Sequence, residues 1–271
     1  MSEPSSEWRC GGASVQGSAH KRRNQPNQDA IWWSPRADED EQFAIAVADG
    51  HGGPAYHRSH VGAQLALQAL EEALAWYFDE PEPPERLAED VVTVWRQLVD
   101  AHIAAHPLPA TAQGERSREA YGTTLVCVAG TPRHLLTLQV GDGDLMLGYP
   151  DGTVERPLPD DQGLQGEQTY SLCMADAPAH TRTLLRHRSP DQPWPDFAMV
   201  ATDGVSKSFV SEAAFEKVVQ SYRTLVPTKR ELLATLEALP GWLDEVSVNG
   251  SGDDASLCMA SRRFGGNTAN T

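Results

Sequence analysis

The chain has 271 residues, which is enough for one large domain with a single hydrophobic core. Its 22 Lys and Arg residues against 38 Asp and Glu residues give a net charge of −16, which disfavours nucleic acids and anionic membrane surfaces as partners. No stretch approaches the roughly twenty apolar residues of a membrane span, and residues 1–10 lack the apolar segment of a signal peptide, so we expect a cytoplasmic protein.

Both ends of the sequence are polar or rich in glycine. We therefore predict flexible segments at residues 1–12 and 264–271, and one folded domain over residues 13–263. The four cysteines are far apart and form no CxxC pair. This spacing predicts buried thiols rather than zinc ligands.

The first regular elements are a strand and two helices. Residues 43–48 form an apolar run that stops at Asp49-Gly50, the pattern of a buried strand followed by a turn. Helical spacing of apolar residues follows Ser59, a good N-cap, and resumes over residues 87–98 after a proline-rich break. Asp49 is thereby placed at the end of a strand.

The middle of the chain is rich in β-forming residues. Residues 123–129, 135–140 and 145–149 are apolar or β-branched runs separated by turns that contain glycine. We predict that these strands pair in sequence as an antiparallel meander. Residues 157–195 are rich in proline, glycine and charge, and predict a long surface excursion that is either a lid or a plain loop.

The last third repeats the first motif, because the apolar run 197–202 again stops at Asp-Gly, here Asp203-Gly204. A capping box formed by Thr228 and Glu231 marks one helix start. The remaining elements predicted are two helices and a strand, over residues 211–222, 228–239 and 255–261. Since strands and helices do not alternate as βαβ units, we predict an α+β fold with a central β-sandwich of two mainly antiparallel sheets flanked by helices.

Four aspartates stand out by their sequence context, and at least two of them follow buried strands: Asp29, Asp49, Asp203 and Asp253. An isolated Asp-Gly after a strand is usually only a turn, but four such acidic contexts in one chain weaken that interpretation. Carboxylates gathered at strand ends repel one another, and a hard divalent cation with oxygen ligands neutralises them best. Two such ions can bridge a water, lower its pKa and hold phosphate oxygens.

Three further residues are chemically ambiguous. Gly50 lets the backbone approach a metal and could offer its carbonyl as a ligand. Asp142 and Asp144 lie in a Gly-Asp-Gly-Asp turn, where turn chemistry and an accessory metal ligand are equally open. A covalent role for Asp142 as a phosphorylated aspartate would require alternating βα units, which the sequence lacks. The absence of P-loop, HExxH and GxSxG motifs leaves metal-assisted phosphate chemistry as the best interpretation.

The order of the motifs along the chain adds a family resemblance. The motifs are Asn27-Gln28-Asp29, Val47-Ala48-Asp49-Gly50-His51-Gly52-Gly53, Gly122-Thr123-Thr124, Val140-Gly141-Asp142, Ala201-Thr202-Asp203-Gly204 and Gly252-Asp253-Asp254. In this order and spacing they resemble the metal-dependent type 2C (PP2C, or PPM) protein serine/threonine phosphatases, and most of all the compact bacterial branch of that family. The resemblance covers nearly the whole chain.

The resemblance implies a four-layer αββα fold with metal ions in a cleft at one end of the sheets. It implies that Asp49 bridges two Mg²⁺ or Mn²⁺ ions, and that Asp203 and Asp253 complete the site of the first. The Gly50 carbonyl would serve the second ion, and Asp29 would act through bound water.

Some positions depart from the family pattern. Asp142 matches an acid that helps many members to hold a third ion, but Lys207 stands where those members carry another acid. An ammonium there would oppose a cation, so we predict that the third site is weak or absent. Gln28 stands where some members have a glutamate ligand, so the second ion would depend more on water.

The basic and imidazole groups near the motifs have predicted roles as well. The resemblance implies a phosphate-binding arginine at the position of Asn24, and we predict that Arg22 or Arg23, or else Lys21, replaces it. The alternative is that this basic run is an ordinary solvated surface. His51 is a candidate general acid for the departing oxygen, or else a hydrogen-bonding turn residue.

We therefore predict a protein serine/threonine phosphatase that hydrolyses phosphoserine and phosphothreonine with an ion-bridged water. The partner implied is a phosphorylated protein, such as a cognate bacterial Ser/Thr kinase or its target, and we expect a monomer. The alternative is a catalytically silent module of the same fold that binds a phosphoprotein or kinase. Asp49, Asp203 and Asp253 argue against it, because a site without metals gains nothing from buried like charges.

Overall fold

The structure is a computed structural model that describes residues 7–36, 40–79, 83–108, 117–159, 161 and 169–262. Within these ranges the strands are β1 (Trp8–Val15), β2 (Asp29–Ser34), β3 (Phe43–Asp49), β4 (Leu125–Gly130), β5 (His134–Val140), β6 (Asp144–Gly148), β7 (Val154–Glu155), β8 (Arg182–His187), β9 (Phe197–Ala201) and β10 (Ala255–Arg262). The α-helices are α1 (Ser18–Arg23), α2 (Ser59–Asp79), α3 (Pro84–Ala105), α4 (Asp203–Ser206), α5 (Glu212–Leu225) and α6 (Lys229–Asn249).

The strands form two five-stranded sheets. The first sheet has the order β1-β10-β9-β6-β7, and the second has the order β2-β3-β4-β5-β8. Neighbouring strands are antiparallel in both sheets. The predicted α+β fold with two antiparallel sheets is confirmed.

Strand β3 shows how the sequence separates the layers, because successive side chains of a strand point to opposite faces. Its larger apolar residues lie between the two sheets and its alanines face α2 and α3: Phe43, Ile45 and Val47 on one side, and Ala44, Ala46 and Ala48 on the other. A third core joins the outer face of the first sheet to α5 and α6. The layers are therefore helix, sheet, sheet and helix, as the family resemblance implied.

The sheet begins earlier than the sequence predicted. Trp8 opens β1, is 2% exposed and stacks on Phe43 with 4.0 Å between ring centroids. The predicted start of the folded unit at residue 13 is therefore too late, because one buried tryptophan anchors an otherwise polar segment. Residues 1–6 and 263–271, which include the predicted C-terminal tail, lie outside the described residues.

The predicted meander is correct for β4 and β5, which pair with each other, but wrong for β6. Strand β6 pairs with β9 in the first sheet. The turn between β5 and β6 contains Gly141 at φ 93°, a conformation that favours glycine, and it carries the chain across the sandwich. Leu145 and Leu147 consequently face the core between the sheets.

Two other predicted boundaries need correction. The predicted excursion at residues 157–195 contains β8, an edge strand on β5, while residues 160 and 162–168 lie outside the described part. Helix α6 continues past Leu239 through Pro240 to Asn249, because Leu243 and Ser247 remain buried beyond the proline. Among the described helices, none is long and apolar enough to cross a membrane.

Candidate metal centre and active-site cleft

Separate chain segments bring aspartates to one end of the sandwich. Asp29 begins β2 and Asp49 ends β3, and the two residues are partners in the backbone register. Asp203 follows β9 and Asp253 precedes β10, the strand next to β9. A cleft of about 850 Å³ is lined by Asp49, Asp203 and Asp253, and also by Asp142. The three predicted ligands from distant parts of the sequence therefore share one cleft.

The charges of these carboxylates act on one another. Burial raises the pKa of Asp49 well above its usual value, and three neighbouring carboxylates add to the rise: Asp29, Asp203 and Asp253. The side chain of Asp203 also raises the pKa of Asp49 through a hydrogen-bonding contribution. A divalent cation bound among these carboxylates would remove the repulsion. The side chains present therefore fit a metal centre.

Asp29 is buried and does not line the cleft. The hydroxyl of Thr202 donates to its Oδ2 over 2.8 Å, and its backbone N–H donates to Asn27 Oδ1 over 3.0 Å. Burial raises its pKa well above the usual range, and the charge of Asp254 adds to this. Asp29 is therefore a buried, hydrogen-bonded carboxylate that is not part of the cleft lining.

Asp254 has a role that the sequence did not reveal. Its Oδ1 accepts the backbone N–H of Gly17 over 2.6 Å, and its Oδ2 accepts that of Gln28 over 2.7 Å. His20 Nδ1 lies 2.9 Å from the same Oδ2. Asp254 therefore ties the segment before Asp29 to the segment before β10.

A tight group of potential ligand atoms lies beside the cleft. Within the described residues, one set of three His, Cys, Asp or Glu side chains has its ligand atoms within 4.8 Å of one another: His20, Asp253 and Asp254. Because the oxygens of Asp254 already accept backbone N–H groups, this set is better suited to positioning Asp253 than to holding an ion by itself.

The glycines of the two Asp-Gly motifs allow close backbone approach. A Cβ on Gly50 would lie 2.7 Å from the carbonyl oxygen of Gln28, and one on Gly204 would lie 2.0 Å from that of Asp254. Gly50 also donates its N–H to Gln28 over 3.1 Å. Both glycines are therefore required by packing next to the acidic residues.

His51 lies in the cleft wall, edge-on to Tyr56 with 5.1 Å between ring centroids. Burial lowers the pKa of His51 to about 4, only partly opposed by the charge of Asp142. Gln28 Nε2 donates to the His51 carbonyl over 3.1 Å and to Ser59 Oγ over 2.6 Å. The His51 ring is thus neutral at neutral pH, and Gln28 fixes the turn that carries it.

A cation lies at the Asp142 end of the cleft. Lys207 Nζ is 3.4 Å from Asp142 Oδ2 and also contacts Asp203 Oδ2. Burial raises the pKa of Asp142, but the Lys207 charge and a hydrogen bond from Thr169 outweigh it, so the net shift is downward. Asp144 lies apart and pairs with Arg156 over 2.7 Å.

The predicted phosphate-binding arginines do not line the cleft. Arg22 and Arg23 are exposed on α1, and Arg22 Nη1 is 3.4 Å from Ser18 Oγ. Lys21 pairs with Asp244 over 2.5 Å on the surface. Their contact with phosphate stays a prediction.

Comparison with known proteins decides the family. The family model described as protein phosphatase 2C matches residues 16–244. The chain belongs to the protein phosphatase 2C family. The resemblance inferred from the motif order is confirmed, and the chain is thereby placed among metal-dependent phosphoprotein phosphatases. No curated protein sequence matches the chain.

Several solved structures share the fold. The catalytic domain of the serine/threonine phosphatase PstP, in complex with two manganese ions, is 18% identical with a TM-score of 0.59, covering 95% of this chain and 99% of that one. The serine/threonine phosphatase of S. agalactiae is also 18% identical with a TM-score of 0.59, covering 94% and 99%. PppA, a regulatory component of the T6SS in Pseudomonas aeruginosa, is 16% identical with a TM-score of 0.57, covering 94% and 97%. At these identities the likeness shows the fold alone.

Proposed function

We propose that this protein phosphatase 2C chain hydrolyses phosphoserine and phosphothreonine in proteins, with two Mg²⁺ or Mn²⁺ ions held in the cleft. The observation that supports this most is the convergence of Asp49, Asp203 and Asp253, since burial and like charges raise the pKa of Asp49. Such an arrangement is costly for the fold unless cations bind to it. The similar PstP structure is a complex with two manganese ions, the same number that we propose for this cleft.

The proposed ligands are those that the family resemblance implies. Asp49 would contact both ions, Asp203 and Asp253 would complete the first site, and the Gly50 carbonyl would serve the second. Asp29 would act through water, because it is buried outside the cleft lining and already accepts the hydroxyl of Thr202. When bound, the ions would activate a water for attack on phosphorus and neutralise the phosphate charge.

The cleft also has uncharged lining residues. Tyr56, Thr169, Ser171 and Met174 line it together with His51, and they provide space and hydrogen-bonding groups for the peptide around a phosphorylated side chain. A general-acid role for His51 would require the protonated ring, which burial opposes. We therefore keep His51 in the proposal as a neutral hydrogen-bonding residue.

The family supports the proposed class of substrate. We propose a phosphorylated protein as the partner, such as a Ser/Thr kinase or its target, and Arg22 and Arg23 on the exposed α1 as residues that meet the rest of that protein. The chain as a whole carries a charge of −16, which disfavours the approach of a phosphorylated protein. Basic side chains outside the cleft would offset this repulsion locally.

The test is turnover of a phosphothreonine peptide with Mn²⁺, with and without a chelator, by the wild type and by Asp203→Ala and Asp253→Ala. We expect turnover by the wild type only with the ion. Both variants should lose about 10²-fold or more, since loss of even an outer-shell partner of a metal costs about 10–100-fold. Asp191→Ala, an exposed aspartate outside the cleft, is the matched control and should retain full activity. Equal turnover with chelator would contradict the metal mechanism, whereas Mn²⁺ binding without turnover of any phosphopeptide would indicate a silent binding module.

A further inference from the structure

Lys207 places a cationic side chain in the acidic cleft. Among the described residues that line it, four are aspartates and Lys207 is the only Lys or Arg. Its ammonium lies between two carboxylates from distant parts of the chain, 3.4 Å from Asp142 Oδ2 and in contact with Asp203 Oδ2. This is the position of a bridging cation.

The local fold directs Lys207 to this place. Its backbone N–H donates to the Asp203 carbonyl over 2.8 Å, so one helical turn separates the two residues and both side chains lie on the same face. Asp142 follows β5 and is held by the hydroxyl of Thr169 over 2.9 Å. The flexible four-carbon stem lets the ammonium reach both carboxylates while its side chain remains 56% exposed.

We propose that Lys207 is a tethered cation that occupies the Asp142–Asp203 end of the cleft, so that this chain binds two divalent ions and not a third. The inference rests on the proposed function, because it concerns the ions of that same cleft. A divalent ion bound between these carboxylates would lie within a few ångströms of a fixed positive charge, which repels it. Because the ammonium is covalently attached to the chain, it neutralises Asp142 and Asp203 at every concentration of free divalent ions.

Ion counting tests the proposal without measuring activity. Equilibrium dialysis against Mn²⁺ should find two bound ions in the wild type and a third, weaker one in Lys207→Asp. Lys217→Asp makes the same charge change on the exposed face of α5 and should still bind two. A third ion in the wild type, or only two in Lys207→Asp, would overturn the assignment of Lys207. Absence of any bound ion in the wild type would instead overturn the metal centre, and the inference with it.

A second variant tests the proposal even if Lys207→Asp does not fold. Lys207→Met keeps the length of the side chain but removes the charge, leaving the carboxylates of Asp142 and Asp203 uncompensated. In chelator its Tm should fall by roughly 2 °C, and Mn²⁺ should raise that Tm more than it raises the wild-type Tm. Identical Tm values and identical Mn²⁺ increments for the two proteins would show that Lys207 does not neutralise this site.

Discussion

Asp29 and Asp49 face each other across β2 and β3 as partners in the backbone register, so a buried and a half-buried carboxylate meet at the same end of one sheet. Burial is the largest cause of the raised pKa of each residue, and the charge of Asp29 contributes to the rise at Asp49. Two carboxylates that face each other across a strand pair oppose folding when both are ionised. Cations bound at this end of the sheet would remove the repulsion between the two carboxylates.

The metal-free protein should lose stability as the pH rises. A carboxyl whose pKa is raised in the folded state holds its proton there after the unfolded chain has released it, so stability falls as the pH increases above about 4, the unfolded value. Thermal unfolding in chelator from about pH 5 to about pH 8 should show this slope. Asp49→Asn should flatten it and raise the Tm at neutral pH, while Asp191→Asn on the surface should not. Superimposable pH curves for the wild type and Asp49→Asn would contradict this coupling.

Binding of Mn²⁺ should stabilise the folded chain. At a free ion concentration of about 100 times Kd, linkage gives about 2.7 kcal/mol per site, which corresponds to a Tm increase of roughly 5–10 °C for a domain of this size. Scanning calorimetry during a Mn²⁺ titration measures the effect. Asp253→Ala should lose most of the increase because it removes a ligand that lines the cleft. An equal increase in both proteins would place the binding site elsewhere.

The strands that end at the cleft could be predicted because their signals are local. The apolar runs before Asp49 and Asp203 are fully buried and stop at Asp-Gly, so strand and turn both appear in the sequence. Strand β8 has only half-buried or exposed residues and two arginines, and gave no such signal. The pairing of β6 with β9 was missed because it is long-range, whereas strands adjacent in sequence pair most often.

The site was only partly predictable for a related reason. The motif order marked Asp253 as a ligand, but the role of Asp254 depends on two backbone N–H groups from the opposite end of the chain. Arg22 and Arg23 are close to Asp29 in sequence, yet they lie on the exposed α1, which ends at Asn24 in the left-handed conformation. The two arginines are therefore near Asp29 in sequence but do not line the cleft.

Gly204→Ala should weaken both the fold and the metal centre. The new Cβ would lie 2.0 Å from the Asp254 carbonyl oxygen, so the segment that carries Asp253 must shift. Overpacking of this kind costs about 1–3 kcal/mol, and we expect a lower Tm and a higher Kd for Mn²⁺ in calorimetric titrations. Gly241→Ala is the matched control, since nothing lies within 4 Å of its Cβ and alanine favours a helix interior. The steric account fails if Gly204→Ala behaves like this control.

Asp254→Asn should weaken Mn²⁺ binding although Asp254 is not a proposed metal ligand. The carboxylate accepts N–H groups from Gly17 and Gln28 on its two oxygens, and an amide can accept only one of them while its NH₂ group faces the other donor. The unsatisfied donor should cost about 1–3 kcal/mol, measured by chemical unfolding, and Mn²⁺ should bind more weakly because Gln28 precedes a buried acidic residue of the site. Asp196→Asn disrupts a bidentate ion pair with Arg223 far from the cleft, so it should lower stability and leave the Mn²⁺ affinity unchanged. Weaker Mn²⁺ binding in both variants would mean that general stability, rather than the position of Asp254, controls the affinity.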